Sequence, residues 1–243
     1  MNTLKRISSI LLMLVFVFSL TACASKETSV TSFTYEVNEE NTIVITGYTG
    51  NDKKVVIPKQ IDGKAVTKIG IFAFDGCTIL EEVILPEGIT EIGGCAFHEC
   101  INLNKIEIPQ SVTRISIQAF SFCVSLEEVV IPNKDAWLHS RAFEQCINLK
   151  KVTLPDNMTK IAPWLFEKCT SLEEINIPVG VKYIQEYAFS GCTSLKKITI
   201  PHTVLSIDET AFENSPCALY VWRNSYAEKW ALENGQPYAY IES

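Results

Sequence analysis

The chain has 243 residues, of which 47% are hydrophobic, so it can bury a sizeable core and does not have the composition of a disordered protein. Its formal net charge is −7. This acidic balance argues against binding to nucleic acid, which requires a basic surface that neutralises phosphates, and against attraction to acidic lipid headgroups.

The N-terminal residues 1–22 predict a secretory signal peptide. Lys5 and Arg6 form a short positive segment. The 11 apolar residues Ile10–Leu20 are too few for a membrane-spanning helix, which needs about 20. The next residues, Leu20-Thr21-Ala22-Cys23, resemble the bacterial lipobox, in which the cysteine is lipidated. We therefore expect a lipid on Cys23; the alternative is an ordinary secretory signal followed by an unrelated cysteine.

Residues 23–32 are predicted to hold the lipidated cysteine and a polar tether, which reaches at most about 30 Å when fully extended. Residues 33–66 then predict an N-terminal β cap and a first rung. Within them Asn41–Thr46 is strand-like and Val55–Pro58 resembles a rung of the repeat that follows. About five additional residues around Asp62-Gly63-Lys64 are expected to loop out.

Residues 67–220 contain seven copies of a 23-residue repeat. A phenylalanine recurs at every interval of 23, a cysteine follows it by three residues in six copies, and an apolar-x-apolar triplet followed by proline comes later in the repeat. The phenylalanines are Phe74, Phe97, Phe120, Phe143, Phe166, Phe189 and Phe212, and the cysteines are Cys77, Cys100, Cys123, Cys146, Cys169 and Cys192.

This repeat predicts a leucine-rich-repeat-type solenoid. The triplets alternate with period two and predict short parallel strands, stacked as rungs about 4.8 Å apart, which the proline ends. The Ala-Phe-x-x-Cys segment predicts a 3-10 or short helical turn on the opposite side. Residues 221–243 predict a helix-strand cap, with a helix over Ser225–Asn234 that begins at the N-cap Ser225 and ends at Gly235, and a closing strand over Tyr238–Ile241.

The consensus I-G-x-x-A-F-x-x-C-x-x-L-x-x-I-x-I-P resembles the BspA-type leucine-rich repeats of bacterial surface lipoproteins and other surface proteins. Residues 92–109 carry it well, and Ser225–Gly235 resembles the helix that closes such arrays. The resemblance covers residues 33–243. It implies a cell-surface protein that binds host or bacterial partners, but a shared fold does not identify a ligand.

Two further columns have structural interpretations. Because the six repeat cysteines stack on one inner edge, they cannot converge on a zinc ion; we expect buried thiols, with adjacent-rung disulfides as the alternative. Cys95 lies in an outward column and should be the accessible thiol, with Cys217 as the other candidate. Paired charges after the leucine, from Glu81-Glu82 to Lys196-Lys197, alternate in sign and predict inter-rung ion pairs, or alternatively a charged ligand surface.

The sequence contains no nucleophile, phosphate-loop or metalloprotease motif, and its three histidines lie in three different repeat columns. We therefore expect neither an enzyme nor a cofactor or metal site. Departures from the consensus instead concentrate in turns four to six, where two outward columns carry aromatic and basic residues. This candidate patch for a ligand consists of Trp137, Arg141, Lys160, Trp164, Tyr183 and Tyr187.

An alternative for these six residues is stacking that only stabilises the rod. If they bind, the chain is a cell-surface binding module that recognises a protein or a cell-envelope or host polymer. The second hypothesis is a structural or accessory lipoprotein of a membrane-proximal envelope complex, because the tether is short. In either case we expect a monomer that meets the membrane only through its lipid anchor.

Overall fold

The computed structural model describes residues 26–242, so the predicted signal peptide and Cys23 lie outside the described residues. The described chain forms a parallel β-solenoid of about nine turns, with one helix near the C-terminus. The predicted solenoid of short parallel strands is confirmed.

The strands are two to six residues long. After a 3-10 turn at Val30–Ser32, they and the single α-helix follow in chain order as β1 Phe33–Val37, β2 Ile43–Tyr48, β3 Lys54–Val56, β4 Gln60–Ile61, β5 Lys64–Ile69, β6 Glu82–Ile84, β7 Glu91–Ile92, β8 Lys105–Glu107, β9 Arg114–Ile115, β10 Glu128–Val130, β11 Trp137–Leu138, β12 Lys151–Thr153, β13 Lys160–Ile161, β14 Glu174–Ile175, β15 Tyr183–Ile184, β16 Lys197–Thr199, β17 Ser206–Ile207, β18 Ala218–Val221, α1 Tyr226–Asn234 and β19 Tyr238–Tyr240.

Each repeat contributes two strands, which stack into two separate ladders. The first ladder holds the predicted apolar-x-apolar triplets and consists of three successive sheets, β3-β6-β8, β10-β12-β14 and β16-β18-β19. The second ladder runs from β5 to β17 and consists mostly of two-residue strands, with one residue pointing outward and one inward. The sequence predicts only the first ladder, because two residues are too few to show a period.

The third side of each turn is the Ala-Phe-x-x-Cys segment, which takes the form of successive tight turns. Backbone N–H groups alternately bond three residues back, as Cys100 does to Phe97, and to the next repeat, as Phe97 does to Ala119. Every fourth residue is left-handed, for example Cys95 (φ 52°) and Glu99 (φ 54°). The left-handed conformation raises the free energy of a non-glycine residue by about 1–2 kcal/mol. The hydrogen bonds between repeats must therefore hold these residues in it.

Both ends of the solenoid are closed. At the N-terminal end β1 pairs antiparallel with β2, which in turn pairs with β5. The additional residues predicted near Asp62 form a hairpin between β4 and β5, and β5 crosses the predicted limit of the cap at residue 66. At the other end the predicted helix is confirmed: the Ser225 hydroxyl accepts a hydrogen bond from the Glu228 N–H at 3.2 Å, and Gly235 is left-handed with φ 66°.

A continuous stack of phenylalanine rings forms the centre of the core. The seven repeat phenylalanines lie parallel, with centroids 5.0 to 5.9 Å apart between neighbours. Tyr48 stacks on the first ring at 5.3 Å, and Trp230 of α1 meets the last ring edge-on at 5.9 Å. The stack therefore extends from one cap to the other and ties every turn to its neighbours.

The cysteine column lies beside this stack and forms no disulfide among the described residues. From the second repeat to the sixth, each buried thiol donates a hydrogen bond of 3.0 to 3.2 Å to the phenylalanine carbonyl of the preceding turn. Burial raises the pKa of these thiols, well above its ordinary value for Cys123 and Cys169. They are Cys100, Cys123, Cys146, Cys169 and Cys192.

Two details of the thiol prediction are corrected. Cys77 belongs to the first repeat, where no earlier repeat covers it, and it is only half-buried. Cys217, the other expected accessible thiol, is completely buried at the C-terminal cap, where the amide of Gln236 bonds its carbonyl at 2.7 Å. Cys95 is partly exposed, as expected.

The alternating charges form inter-turn ion pairs in the N-terminal half of the first ladder. Lys150 bonds Glu127 at 2.8 Å, and Glu82 lies between Lys54 at 3.1 Å and Lys105 at 3.3 Å. Among the described residues, the pairs Glu173-Glu174 and Lys196-Lys197 make no such contact within 4.0 Å. Each exposed pair contributes well under about 1 kcal/mol, so these charges select the register more than they stabilise the rod.

The phenylalanine stack predicts a large effect for one truncation. Phe120→Ala in the middle of the stack should lower the free energy of unfolding by about 3–5 kcal/mol, because it leaves a cavity between two rings. Phe72→Ala is the matched control, since Phe72 is 58% exposed at the first turn, and should change stability by less than about 0.5 kcal/mol. Urea denaturation followed by circular dichroism measures both; equal losses would contradict the central role of the stack.

Thiol accessibility tests the cysteine column. In the Cys23→Ser protein at pH 8, a thiol reagent should label only Cys77 and Cys95 before unfolding. Both should react more slowly than a free cysteine, because partial burial and the nearby Asp75 carboxylate raise their pKa. The remaining six should react only in denaturant. Rapid labelling of the native column, read by peptide mass spectrometry, would disprove its burial.

Candidate binding surface

The structure divides the six predicted patch residues into two groups of three. Arg141, Trp164 and Tyr187 occupy the same position on successive turns and stack on one another. The guanidinium carbon of Arg141 lies 4.3 Å from the Trp164 ring centroid, and the Trp164 and Tyr187 rings are 5.6 Å apart at 16°. Arg141 also bonds the buried Glu144 carboxylate at 2.8 Å. These residues are half-buried and contact one another, as expected if their stacking only stabilises the rod.

Trp137, Lys160 and Tyr183 form the other group, on the outward face of the second ladder. They are the outward residues of β11, β13 and β15, so they lie on three successive turns. Trp137 is 50% exposed and Tyr183 is 47% exposed. The Tyr183 ring makes no aromatic or cation–π contact with any residue in the range 26–242. Its face is therefore free to meet a ligand.

A change in the turn before β11 creates space beside these residues. In the neighbouring repeat the buried Val112 closes a turn by bonding to Pro109; in turn four Ala136 takes that place and bonds to Asn133 at 3.1 Å. The turn thus begins one residue later, so that Ala136 is buried and Asp135 is exposed. An alanine fills less volume than the valine of the consensus, and the difference opens the surface.

The result is a groove of about 440 Å³ between Trp137 and Tyr183. Leu138 and Met158 form its apolar floor, and Asn157 donates a hydrogen bond of 2.6 Å to the Asp135 carboxylate at its rim. The volume falls within the range of about 300–1,000 Å³ that is typical of small-molecule sites. The groove thus combines aromatic walls, an apolar floor and a polar rim.

The second ladder is interrupted under this groove. Strand β11 pairs with β9 and strand β13 pairs with β15, but no strand pairing joins β11 to β13. At the other turns of this ladder a bond such as that from the Ser116 N–H to the Ile92 carbonyl bridges the rungs; the corresponding bond from Ala162 to Leu138 is missing in the described chain. The two turns are consequently less tightly joined here than elsewhere on this face.

Two cations flank Trp137. Arg114 and Lys160, on the turns before and after, lie over its ring at 5.9 and 5.7 Å from the centroid. Neither cation has a carboxylate within 4.0 Å among residues 26–242, although Glu91 is the neighbour of Arg114 in the strand register. Partial burial lowers the pKa of His139, which stacks on Trp137 at 5.1 Å; the charges of Arg114 and Lys160 lower it further, and the charge of Glu91 raises it. The Trp137 ring thus lies between two cations that make no ion pair in the described chain.

Two residues of this surface lie outside the six that the sequence predicts. Arg114 is 23 residues before Trp137, so extending that repeat column back by one turn would have identified it. Asn157 follows Pro155 in a loop of the next turn, and no sequence signal shows that its amide reaches Asp135. We name the groove, with Trp137, Lys160 and Tyr183 that border it and Arg114 over the Trp137 ring, the aromatic groove.

Comparison with known families agrees with the geometry. The sequence pattern of the BspA type leucine rich repeat region matches residues 48–172 and 113–225, with six copies of the repeat. The chain belongs to the BspA-type leucine-rich repeat family. No curated protein matches its sequence. Members of this family are generally surface or extracellular proteins, and the fold is typical of protein-interaction modules without enzymatic activity.

Solved structures resemble the fold of this BspA-type protein. A leucine-rich repeat protein from Bacteroides ovatus is 23% identical, with 88% of this chain covering 67% of that one at a TM-score of 0.61. The leucine-rich repeat protein of T. pallidum is 25% identical; the match covers 90% of this chain and 100% of that one, with a TM-score of 0.53. The pneumococcal vaccine antigen PcpA is 16% identical; the match covers 88% of this chain and 49% of that one, with a TM-score of 0.54. These likenesses concern the fold and carry no ligand across.

Within the range 26–242, no helix has the length and hydrophobicity that a membrane span requires. The same range holds no group of three or more histidine, cysteine, aspartate or glutamate side chains placed to bind a metal ion.

Substitution of the two patch tryptophans should separate their roles. Trp164→Ala removes the ring that stacks on Tyr187 and contacts the Arg141 guanidinium, and should lower the free energy of unfolding by about 1–2 kcal/mol. Trp137→Ala removes a half-exposed ring with its surface contacts to His139, Arg114 and Lys160, and should lower it by a smaller amount, about 0.5–1 kcal/mol. Thermal and urea denaturation of both variants measure the difference. A larger loss for Trp137 would show that its column also serves stability.

Proposed function

We propose that the chain is a non-enzymatic binding module that is exported, anchored at Cys23 by lipid, and recognises a protein or an envelope or host polymer through the aromatic groove. The observation that carries the proposal is the contrast between the two residue columns. Arg141, Trp164 and Tyr187 contact one another, whereas the second column leaves two aromatic rings exposed and two cations with no carboxylate of residues 26–242 within 4.0 Å. Exposed aromatic and basic residues are common anchors of binding interfaces.

A second candidate is a structural or accessory role in a membrane-proximal envelope complex. The contact that favours it is at the start of the described chain, where the Thr28 N–H bonds the Val56 carbonyl at 3.0 Å. If Cys23 carries lipid, only about five residues separate the membrane from the folded body, a reach of about 17 Å at most. A body held this close to the membrane is well placed to contact other membrane-anchored components.

A retention experiment tests the proposal. Immobilised protein should retain a component of isolated cell wall, solubilised envelope or host matrix, and the double variant Trp137→Ala, Tyr183→Ala should lose it. Tyr220→Ala is the control, because Tyr220 is an exposed aromatic on the first ladder.

Two results would count against binding through the groove. One is that wild-type protein retains nothing from any of the three preparations. The other is that the double variant, folded by circular dichroism, retains the component as well as the wild type does. Retention of an envelope component irrespective of the groove would support the accessory role.

A further inference from the structure

We infer that the aromatic groove binds an anionic saccharide chain that runs along the axis of the rod, an inference that rests on the proposed function. Trp137, Lys160 and Tyr183 border the groove, and Arg114 occupies the same position one turn earlier, so the order along the rod is Arg114, Trp137, Lys160 and Tyr183. Cations and aromatic rings thus alternate along the rod. A saccharide that carries carboxylates offers a matching alternation of charge and ring.

The charge of the site selects an anion. Arg114 is exposed and Lys160 is half-buried, and neither is within 4.0 Å of a carboxylate in the chain from residue 26 to 242. Two carboxylates lie nearby: Asp135 is held at the rim by the Asn157 amide at 2.6 Å, and Glu91, the neighbour of Arg114 in the strand register, lies 3.8 Å from Lys68. A carboxylate placed between the two cations would gain charge-assisted hydrogen bonds that the protein itself does not supply.

The aromatic walls select a ring. The exposed face of Tyr183 and the exposed half of Trp137 can each stack on the C–H face of a pyranose, while Met158 and Leu138 keep the floor apolar. Sugar hydroxyls both donate and accept hydrogen bonds, so they suit a rim on which a carboxylate, an amide and the Thr159 hydroxyl lie together. A neutral apolar ligand would form no further hydrogen bonds with these polar groups.

The spacing of the site separates a saccharide from an acidic peptide. Successive rungs lie about 4.8 Å apart, a distance close to the length of one pyranose unit in a β-1,4-linked chain. An extended peptide places side chains on one face about 6.6–6.8 Å apart. Trp137 and Tyr183 lie two rungs, or about 10 Å, apart, so a peptide side chain that met the first ring would not be followed by one that met the second. The rung spacing thus favours successive sugar rings over successive peptide side chains.

The molecule also provides a matched control. A second groove of about 450 Å³ on the first ladder contains Tyr220, Lys151 and Lys197, but Glu174 lies among its residues and Lys151 is 3.7 Å from Glu128. It has an aromatic residue and two cations with carboxylates interleaved. Tyr220→Ala and Lys197→Gln therefore remove the same kinds of group from a surface whose charge is balanced.

Calorimetric titration of the Cys23→Ser protein tests the inference. The probes are hexasaccharides of β-1,4-linked glucuronic acid and of hyaluronan, each with its carboxyl-reduced neutral counterpart, and a hexaglutamate peptide. At least one acidic hexasaccharide should bind, at least tenfold more tightly than its neutral counterpart. Trp137→Ala and Lys160→Gln should each weaken it at least tenfold, and the two control variants should not. Raising the salt concentration should also weaken it.

Three outcomes would overturn the inference: no hexasaccharide binds, the neutral counterparts bind equally well, or hexaglutamate binds more tightly than both acidic saccharides. Failure here remains distinct from failure of the proposed function. If the retained component is still lost in the Trp137→Ala, Tyr183→Ala variant while no saccharide binds, the groove is a binding site for another class of ligand. If that component is retained equally and no saccharide binds, both proposals fail.

Discussion

The stack of seven buried phenylalanine rings is the interaction that links every turn of this protein to the next. A single 23-residue turn has no partner for its apolar face, so its stability comes from its neighbours. The rings meet their neighbours at 5.0 to 5.9 Å along the whole array, and the thiols beside them donate to the phenylalanine carbonyls. Those carbonyls already accept a backbone bond within their own turn, as Phe97 does from Cys100, so each thiol uses a remaining lone pair. A serine could donate too, and Ser215 does so at the seventh turn by bonding the Cys192 carbonyl.

Because the stack fixes the phase of the repeat, each outward position becomes a column whose members meet only the turns before and after. Where the residues of a column pair with or stack on one another, their presence is explained by the stability of the rod. The charges of the first ladder are paired in this way between Glu127 and Lys150, and the stack from Arg141 to Tyr187 is another case. The column from Arg114 to Tyr183 differs, since neither of its cations has a carboxylate within 4.0 Å in residues 26–242 and its rings stay exposed. Comparison of columns within one chain thus separates stabilising residues from candidate ligand residues, although both contain the same residue types.

The sequence predicts those features that repeat and misses those that depend on one local departure. The first ladder, the phenylalanine column and the cap at Ser225 all follow from periodicity or capping chemistry. The second ladder does not, because two residues such as those of β7 show no alternation. The left-handed residues are also hidden, since Cys95 and Trp164 are not residues that favour that conformation. The groove depends on a turn that starts at Asn133 in place of proline, and the volume lost between Val112 and Ala136 is a property of packing that periodicity does not encode.

The position of the groove also explains how the rod tolerates it. Turns four and five lack a strand pairing between β11 and β13, and the rings of Phe143 and Phe166 in the same two turns have the widest separation in the stack, 5.9 Å. The rings nevertheless remain parallel within 8°, and the third side still joins the turns through the bond from Phe143 to Leu165. The opening is therefore confined to one face, while the core and the other sides keep the register. Since stability in a solenoid is close to a sum over neighbouring turns, weakening one face of one junction lowers only that junction's contribution. A binding surface can then change at this point without disturbing the stack on which the fold depends.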